Sequence, residues 1–578
     1  MVRLNTYDYV VIVVYMLLMV GVGAYFFKFV KSGSDYFRAG NKLTWWVAGL
    51  SSFMSSFSVW MFTGGAGIVY EDGLTGALAL LLPGAAIFTG YLLFARLWRR
   101  SRVSTLMEYL EERFNLTAHQ VASWFYVPVY LLYSATALFS LGIFVSAALR
   151  LDIVTVIVVS GVVILAYTLL GGVWAVSVTD AVQFIVLLPV CLLMVPLALK
   201  AVGGFGGLAA SAPEHYFDVP TRGLPWHYLI AYLLVSVLGQ NTNPIAQRYF
   251  SVRNEREAGR VSLMCSGLFL LGVVIWAVPP MAARIIYPEL GGMIDLPNPG
   301  EGSYVVIAMH LLPHGLAGLL VAAMFATAMS SLDSVYNVIA AIVSKDILQR
   351  LFFRSMSEKA VLRTGQVVTL LVGLAVTGLS IMMVEYGQGA FRVMMKLGSL
   401  TITPMAAPML MGFLYRRAGA GSFLLSFACG VATAVAFAFY PPLGEYLQSA
   451  GPWVEFSVST FAIVLVSVTV FVLSPLLFRP ARGEYERIGK FFRKLDTPVN
   501  ESTEIGEAAV DNISISRFIG IITMVLGAIV TLFVFIPGTV ADRMLNGGTG
   551  IVVLLFGLWL SGREKRNHAL GYENGEEQ

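Results

Sequence analysis

Four hydroxyl side chains recur at i, i+3, i+4 and i+7 in the stretch Thr327-Ala-Met-Ser-Ser-Leu-Asp-Ser334: Thr327, Ser330, Ser331 and Ser334. On an α-helix that spacing puts all four on one face. The stretch lies inside an apolar segment over residues 315–344. A bilayer core has no water, so polar groups at that depth need partners. Clustered neutral oxygens suit a small hard cation. Small polar residues also suit a seam where two helices pack closely. The stretch alone leaves both readings open.

The rest of the chain supplies the elements that position it. Of 578 residues, 57% are hydrophobic and 12% charged, with net charge +4 and mean hydropathy +0.77. Soluble domains carry about 25% charged residues. The composition therefore predicts an all-α polytopic membrane protein. Runs near the length of about 20 residues that a spanning helix needs fall at 8–28, 44–67, 75–97, 120–149, 152–172, 178–199, 225–246, 261–283, 315–344, 362–385, 391–415, 420–440, 454–478, 515–537 and 547–562. The last is short, so the count is about 14–15. Alternating from an outside N-terminus puts 30 of the 38 Lys and Arg residues on the inner side, which predicts N-terminus out and C-terminus cytoplasmic.

Other features narrow the class. Cys191, Cys265 and Cys429 lie in apolar runs, fit no metal spacing and read as small core residues. The run before Lys28 and Lys31 is preceded only by Arg3, so it reads as a retained first span. The six histidines form no nucleophile–base set, and no phosphate-binding glycine loop is present. The chain is thus read as neither an enzyme nor a nucleic-acid binder. Pore-lining rings of charge, which a channel needs, are absent from the sequence. The loop 284–314 is long enough to cover an outer vestibule. The basic part of loop 479–514 is expected against anionic lipid headgroups.

Two spans are interrupted. The span 44–67 holds Ser51-Ser-Phe-Met-Ser-Ser-Phe-Ser58 and then Thr63-Gly-Gly-Ala-Gly67, and the span 225–246 holds Gly239-Gln-Asn-Thr-Asn-Pro244. Pro244 removes a backbone donor and disfavours the turn before it. Broken backbone at membrane depth is tolerated where it is buried or lines a cavity. Five crossings separate the two starts, an odd number that inverts the second copy. Interrupted helices in corresponding positions of inverted halves point to a transporter binding site.

Three motifs carry a family resemblance: Tyr167-Thr-Leu-Leu-Gly-Gly-Val-Trp-Ala-Val-Ser-Val-Thr-Asp-Ala-Val-Gln183, Gln247-Arg-Tyr-Phe-Ser-Val-Arg-Asn-Glu-Arg-Glu-Ala258 and Met329-Ser-Ser-Leu-Asp-Ser334, with Ser104 to Phe114 in support. On these the chain resembles the sodium/solute symporter family. The resemblance implies a LeuT-like core of two inverted five-helix repeats, at 44–200 and 201–417. An extra N-terminal helix and inner loop (1–43) precede it, and further helices and a short tail (418–578) follow. It implies Na+ as the coupling ion, bound by carbonyls of Met54 and Phe57 and hydroxyls of Thr327, Ser330 and Ser331. It also implies a second sodium site at Asp180 and Ser334, with Asp333 beside it.

The expected function is sodium-coupled import of a small polar solute by alternating access, across the plasma membrane and by a monomer. Candidate solute contacts are Ser56, Ser58, Trp60, Gln240, Asn241, Asn243 and Lys396. Lys396 stands where sugar-carrying relatives have a Gln, and a lysine there suits a carboxylate. The expectation is a monocarboxylate or amino acid, with a sugar or polyol, or a non-transporting sensor on the same fold, as the alternatives.

Overall fold

A computed structural model describes residues 4–27, 44–103, 105–169, 173–221, 223–242, 245–387, 389–451, 453–478, 480, 482–500 and 515–573. No strand occurs among them. Eleven described helices are long and apolar enough to cross a membrane, and Thr6–Leu18, Ile153–Ala166 and Trp226–Gln240 are shorter apolar helices. Each of the fifteen expected spans falls on helix. The short final run lies inside Val540–Glu573, whose apolar part, Val540–Gly562, is 23 residues long.

In chain order the elements used below are α1 (Thr6–Phe27), α2 (Trp45–Ser56), α3 (Gly64–Thr89), α4 (Leu106–Arg113), α5 (Leu116–Leu149), α6 (Ile153–Thr168), α7 (Val173–Ala201), α8 (Trp226–Gln240), α9 (Ile245–Phe250), α10 (Glu255–Ile286), α11 (Ser303–Leu311), α12 (Leu316–Ala341), α13 (Glu358–Glu385), α14 (Ala390–Leu397), α15 (Thr403–Leu414), α16 (Ala420–Phe439), α17 (Val454–Leu473), α18 (Arg482–Asp496), α19 (Ile515–Thr531) and α20 (Val540–Glu573). Helix α3 runs on through a π turn, Gly90–Phe94, to Ser101, and α14 joins α15 through another, Gly398–Ile402.

The first broken span is longer than its apolar run. Helical dihedrals inside α3 fail at Gly73 (φ 52°, ψ −121°), a conformation that only glycine adopts cheaply. The chain folds back there, since a Cβ on Gly76 would lie 2.4 Å from the Ile68 carbonyl oxygen. Residues 64–72 therefore complete the span begun by α2, and the next span starts at Leu74.

Corresponding helices of the two repeats pack on each other: α3 on α10, α5 on α12 and α6 on α13. That pairing is what a pseudo-two-fold relation requires. The helices outside the repeats divide into two groups. Helix α1 packs on α12 and α7, with α19 and α20 also against α7, while α16 and α17 pack on α15.

Loop 479–514 departs from expectation. Its described part is a helix, α18, and the helix packs on α4 and on Ala95–Ser101. Ile488, Phe491, Phe492 and Leu495 are buried, and Lys494 meets Glu112 at 2.6 Å. An amphipathic pattern fits protein or lipid equally well. Here the apolar face covers protein, and part of the basic face pairs with carboxylates rather than headgroups.

Candidate functional site

The two interruptions form as their residues dictate. Helix α2 ends at Ser56, and Phe57 (φ −76°, ψ 105°) and Ser58 (φ −118°, ψ 160°) are extended. The Phe57 N–H still donates to the Phe53 carbonyl at 2.6 Å. Beyond it no helical N–H follows in register for the last carbonyls, those of Met54 and Phe57 among them. The Ser58 hydroxyl accepts from the Trp60 N–H at 3.1 Å and starts a 3-10 turn, Val59–Phe62. In the second break, α8 stops at Gln240 and helix resumes at Ile245.

Helix α12 lies against both α2 and that 3-10 turn, so the break and the hydroxyl face belong to neighbouring elements. Met54, Phe57, Thr327 and Ser330 are all buried. Thr327 donates back to the Ala323 carbonyl at 2.8 Å, which leaves its oxygen lone pairs available as an acceptor. The Ser331 oxygen is buried with no hydrogen-bond partner among the described residues. A buried polar atom without a partner is costly, and a cation's coordination shell would remove that cost. Ser334 is half-buried. Asp333 is fully buried and accepts from the Asn337 amide at 3.0 Å. The Asp180 side chain lies outside the described residues, although its backbone belongs to α7.

The solute candidates fare unevenly. Trp60 is buried, stacks on Phe391 (centroids 5.7 Å apart, 17° between planes) and donates through Nε1 to the Ala390 carbonyl at 3.3 Å. This contact ties the first break to the start of α14. Gln240 is half-buried at the end of α8. The Ser56 side chain and Asn243 lie outside the described residues.

Asn241, a candidate solute contact, has its side-chain nitrogen tied to neighbouring helices. It is fully buried, and its amide nitrogen lies 2.8 Å from the Val237 carbonyl, 3.1 Å from the Thr89 hydroxyl and 3.2 Å from the Ala86 carbonyl. Its backbone carbonyl accepts from the Trp98 indole at 2.8 Å, and its side-chain oxygen is buried with no hydrogen-bond partner among the described residues. It joins the end of α8 to α3, and its donors are spent. Lys396 departs from its expected place. Helix α14 turns Phe391 and Met395 inward and leaves Arg392 and Lys396 exposed. Lys396 points to Glu455 at 3.7 Å, in a cavity that includes neither Trp60 nor Gln240.

Several residues at these elements carry no sequence signal. Tyr133 of α5 sits beside Thr401, and its hydroxyl approaches Gly398. Tyr232 of α8 sits beside Ser236. Single tyrosines and serines in apolar helices look like any core residue until the partner helix is known.

Comparison with known proteins agrees with this architecture. The sodium:solute symporter family profile matches residues 36–430. The human sodium/myo-inositol cotransporter 2 is 28% identical over 450 residues, which is 71% of this chain and 66% of that protein. The sheep sodium/glucose cotransporter 1 is 27% identical over 523 residues, 81% of this chain and 78% of that one. A solved Na+-coupled sialic acid symporter, in a substrate-bound outward-open state, superposes with a TM-score of 0.69 at 23% identity, covering 83% of this chain and 99% of its own. A multi-pass membrane protein with the LeuT-like fold, a transporter rather than an enzyme and with sodium as its coupling ion, this chain belongs to the sodium:solute symporter family.

Proposed function

We propose that the chain imports a small uncharged polar solute of the sugar or polyol class together with sodium, by alternating access. The carrying observation is the character of the side chains around the two breaks. Ser58, Gln240, Tyr133, Tyr232, Ser236 and Thr401 offer hydroxyls and an amide but no charge, and Trp60 offers an aromatic face. Such groups recognise hydroxyls through paired donors and acceptors. The carboxylate expectation rested on Lys396, which faces a cavity lined by neither Trp60 nor Gln240.

In this reading sodium sits between the Met54 and Phe57 carbonyls and the Thr327, Ser330 and Ser331 hydroxyls. It enters from outside and holds the outward-facing form. Coupling follows because sodium affinity differs between the two states, since equal affinity would shift nothing. Asp180, Asp333 and Ser334 serve as a second, weaker sodium site. The N-terminus lies outside the plasma membrane and the C-terminus in the cytoplasm. The repeats run 44–200 and 201–417, and one copy of the chain suffices.

Uptake into proteoliposomes tests this. A sodium gradient should accumulate labelled inositol or glucose and not lactate or proline, and a pH gradient without sodium should drive nothing. Accumulation of lactate or proline alone would overturn the solute class. Ser331→Ala should raise the sodium concentration for half-maximal uptake about tenfold, one lost ligand being near 1.4 kcal/mol. An unchanged value would remove Ser331 from the shell.

A further inference from the structure

The cavity that takes Lys396 away from the solute path has a chemistry of its own. It lies between α14, α16 and α17 and encloses about 370 Å³, within the size range of small-molecule sites. Arg392 and Lys396 stand four residues apart on one face of α14. Like charges at that spacing destabilise a helix unless something answers them. Glu455 approaches Lys396 at 3.7 Å. Among the described residues no carboxylate lies within ion-pair distance of Arg392, although Glu71 acts on it electrostatically from farther off. Its guanidinium instead lies 5.8 Å from the Trp453 ring centre. The cavity therefore carries two cations and one anion, and its other walls include Phe437 and Phe456.

Trp453 adds a second observation. It holds a left-handed backbone (φ 62°, ψ 6°), which costs a bulky residue of order 1 kcal/mol or more. Ring contacts over-determine it: Tyr228 at 4.9 Å, Phe391 at 5.4 Å and Phe456 at 6.1 Å. Those contacts keep the indole between Arg392 and Phe391, and Phe391 is the ring stacked on Trp60. The cavity thus shares a wall with the contact that joins the first break to α14.

We propose that this cavity is a binding site for the anionic head of an amphiphile, a phosphate or carboxylate carrying an apolar body. Arg392 and Lys396 hold the head, because charge-assisted bonds from guanidinium and ammonium are the strong ones available. The aromatic walls take the apolar body. Glu455 offsets part of the positive charge of the site. Occupancy fixes Arg392 against Trp453 and so braces Phe391 over Trp60.

Two sources share this chemistry, an anionic phospholipid and a soluble aromatic carboxylate. The purified full chain, stripped of lipid, is offered phosphatidylglycerol against phosphatidylcholine, and separately benzoate. Retained lipid is read by native mass spectrometry and benzoate binding by thermal shift. Wild type should retain phosphatidylglycerol about tenfold better than the R392Q/K396Q double variant, the expectation for one strong ion pair, with phosphatidylcholine equal in both. A benzoate shift lost in the double variant would name the soluble source instead. Glu455→Gln adds net positive charge and should increase retention, a gain that misfolding cannot imitate. If neither probe separates wild type from the double variant, or Glu455→Gln lowers retention, the site does not exist.

Discussion

Two buried carboxylates, Asp8 and Glu301, cap helices that are not their own, and their surroundings differ in one respect. Asp8 in the first turn of α1 is fully buried. Its Oδ1 accepts from the Gly315 and Gly318 N–H groups at 2.6 and 3.2 Å. Its Oδ2 accepts from the Asn5 N–H at 2.9 Å and meets the His314 ring at 2.7 Å. Glu301, in the loop before α11, is also fully buried and accepts from the Ala390 and Phe391 N–H groups at 2.9 and 3.0 Å. Both use the positive end of a helix. Asp8 has a histidine beside it, whereas Glu301 has another carboxylate, Glu71, nearby. Burial, reinforced by Glu71 and opposed by the two N–H groups, pushes Glu301 up to about 7.

The difference matches what each one holds. Asp8 fixes the start of α12, the helix of the hydroxyl face, to α1. Asn546 of α20 continues the tie by donating to the His314 carbonyl at 3.1 Å. Space is absent for any alternative, because a Cβ on Gly318 would lie 2.6 Å from the Asp8 carbonyl oxygen. This is a clamp onto helices outside the repeats. Glu301 instead joins the loop before α11 to the start of α14, at the Phe391 of the Trp60–Phe391 stack. Its raised proton affinity makes this the joint that responds to pH.

Breaking the clamp should cost most. Asp8→Ala leaves two buried helix N–H groups and the half-buried His314 ring without their acceptor, and about 3 kcal/mol of stability should go, at about 1–3 kcal/mol for each buried group left unsatisfied. Thermal melting in detergent reads this, and a loss no larger than that of an exposed α1 substitution such as Tyr9→Ala would undo the comparison.

Glu301→Gln should cost less, about 1–2 kcal/mol, since a neutral oxygen still accepts one N–H. Its signature is the pH profile. A carboxylate raised in the folded state binds more protons there than when unfolded, so its contribution to stability falls as pH rises from the ordinary carboxylate value of 4.5 towards about 7. Glu301→Gln should flatten that decline. A wild-type slope across the same window would show that another group titrates.

Neither cap was legible in the sequence, although most of the scaffold was. Run length placed the expected spans on helices, eleven of them among the described residues long and apolar enough to cross a membrane, and Pro244 with its polar neighbours located one break, because both signals are local. Asp8 lies 306 positions from its histidine. A lone Asp in the first turn of a span looks like a dipole partner of its own helix. Helical face, not residue type, misled on Lys396: it is the side of α14 opposite Phe391 and Met395 that carries it. Asn241 shows a related ambiguity, since a polar side chain at a break satisfies backbone as readily as it binds solute. The hydroxyl face of α12 was readable because its partners sit on one helix at fixed spacing.

A third carboxylate tests whether burial is what makes these caps matter. Glu484 of α18 accepts from the Ala420 N–H at the start of α16, but it is only half-buried. Helix α18 has other holds: Arg487 donates to the Phe114 carbonyl, Lys494 meets Glu112, Arg102 donates to the Lys494 carbonyl at 2.9 Å and Arg416 meets Asp496 at 3.0 Å. Water can replace a half-exposed acceptor, so a lost cap there is worth about 0.5–1 kcal/mol, and the remaining ties keep the helix down. Glu484→Gln should therefore leave tryptic cleavage within residues 482–494 within about fivefold of wild type, the rate change that such an energy allows if cleavage follows opening. Rapid cleavage of this variant would mean that the cap, and not the buried face of Ile488, Phe491 and Leu495, is what docks α18.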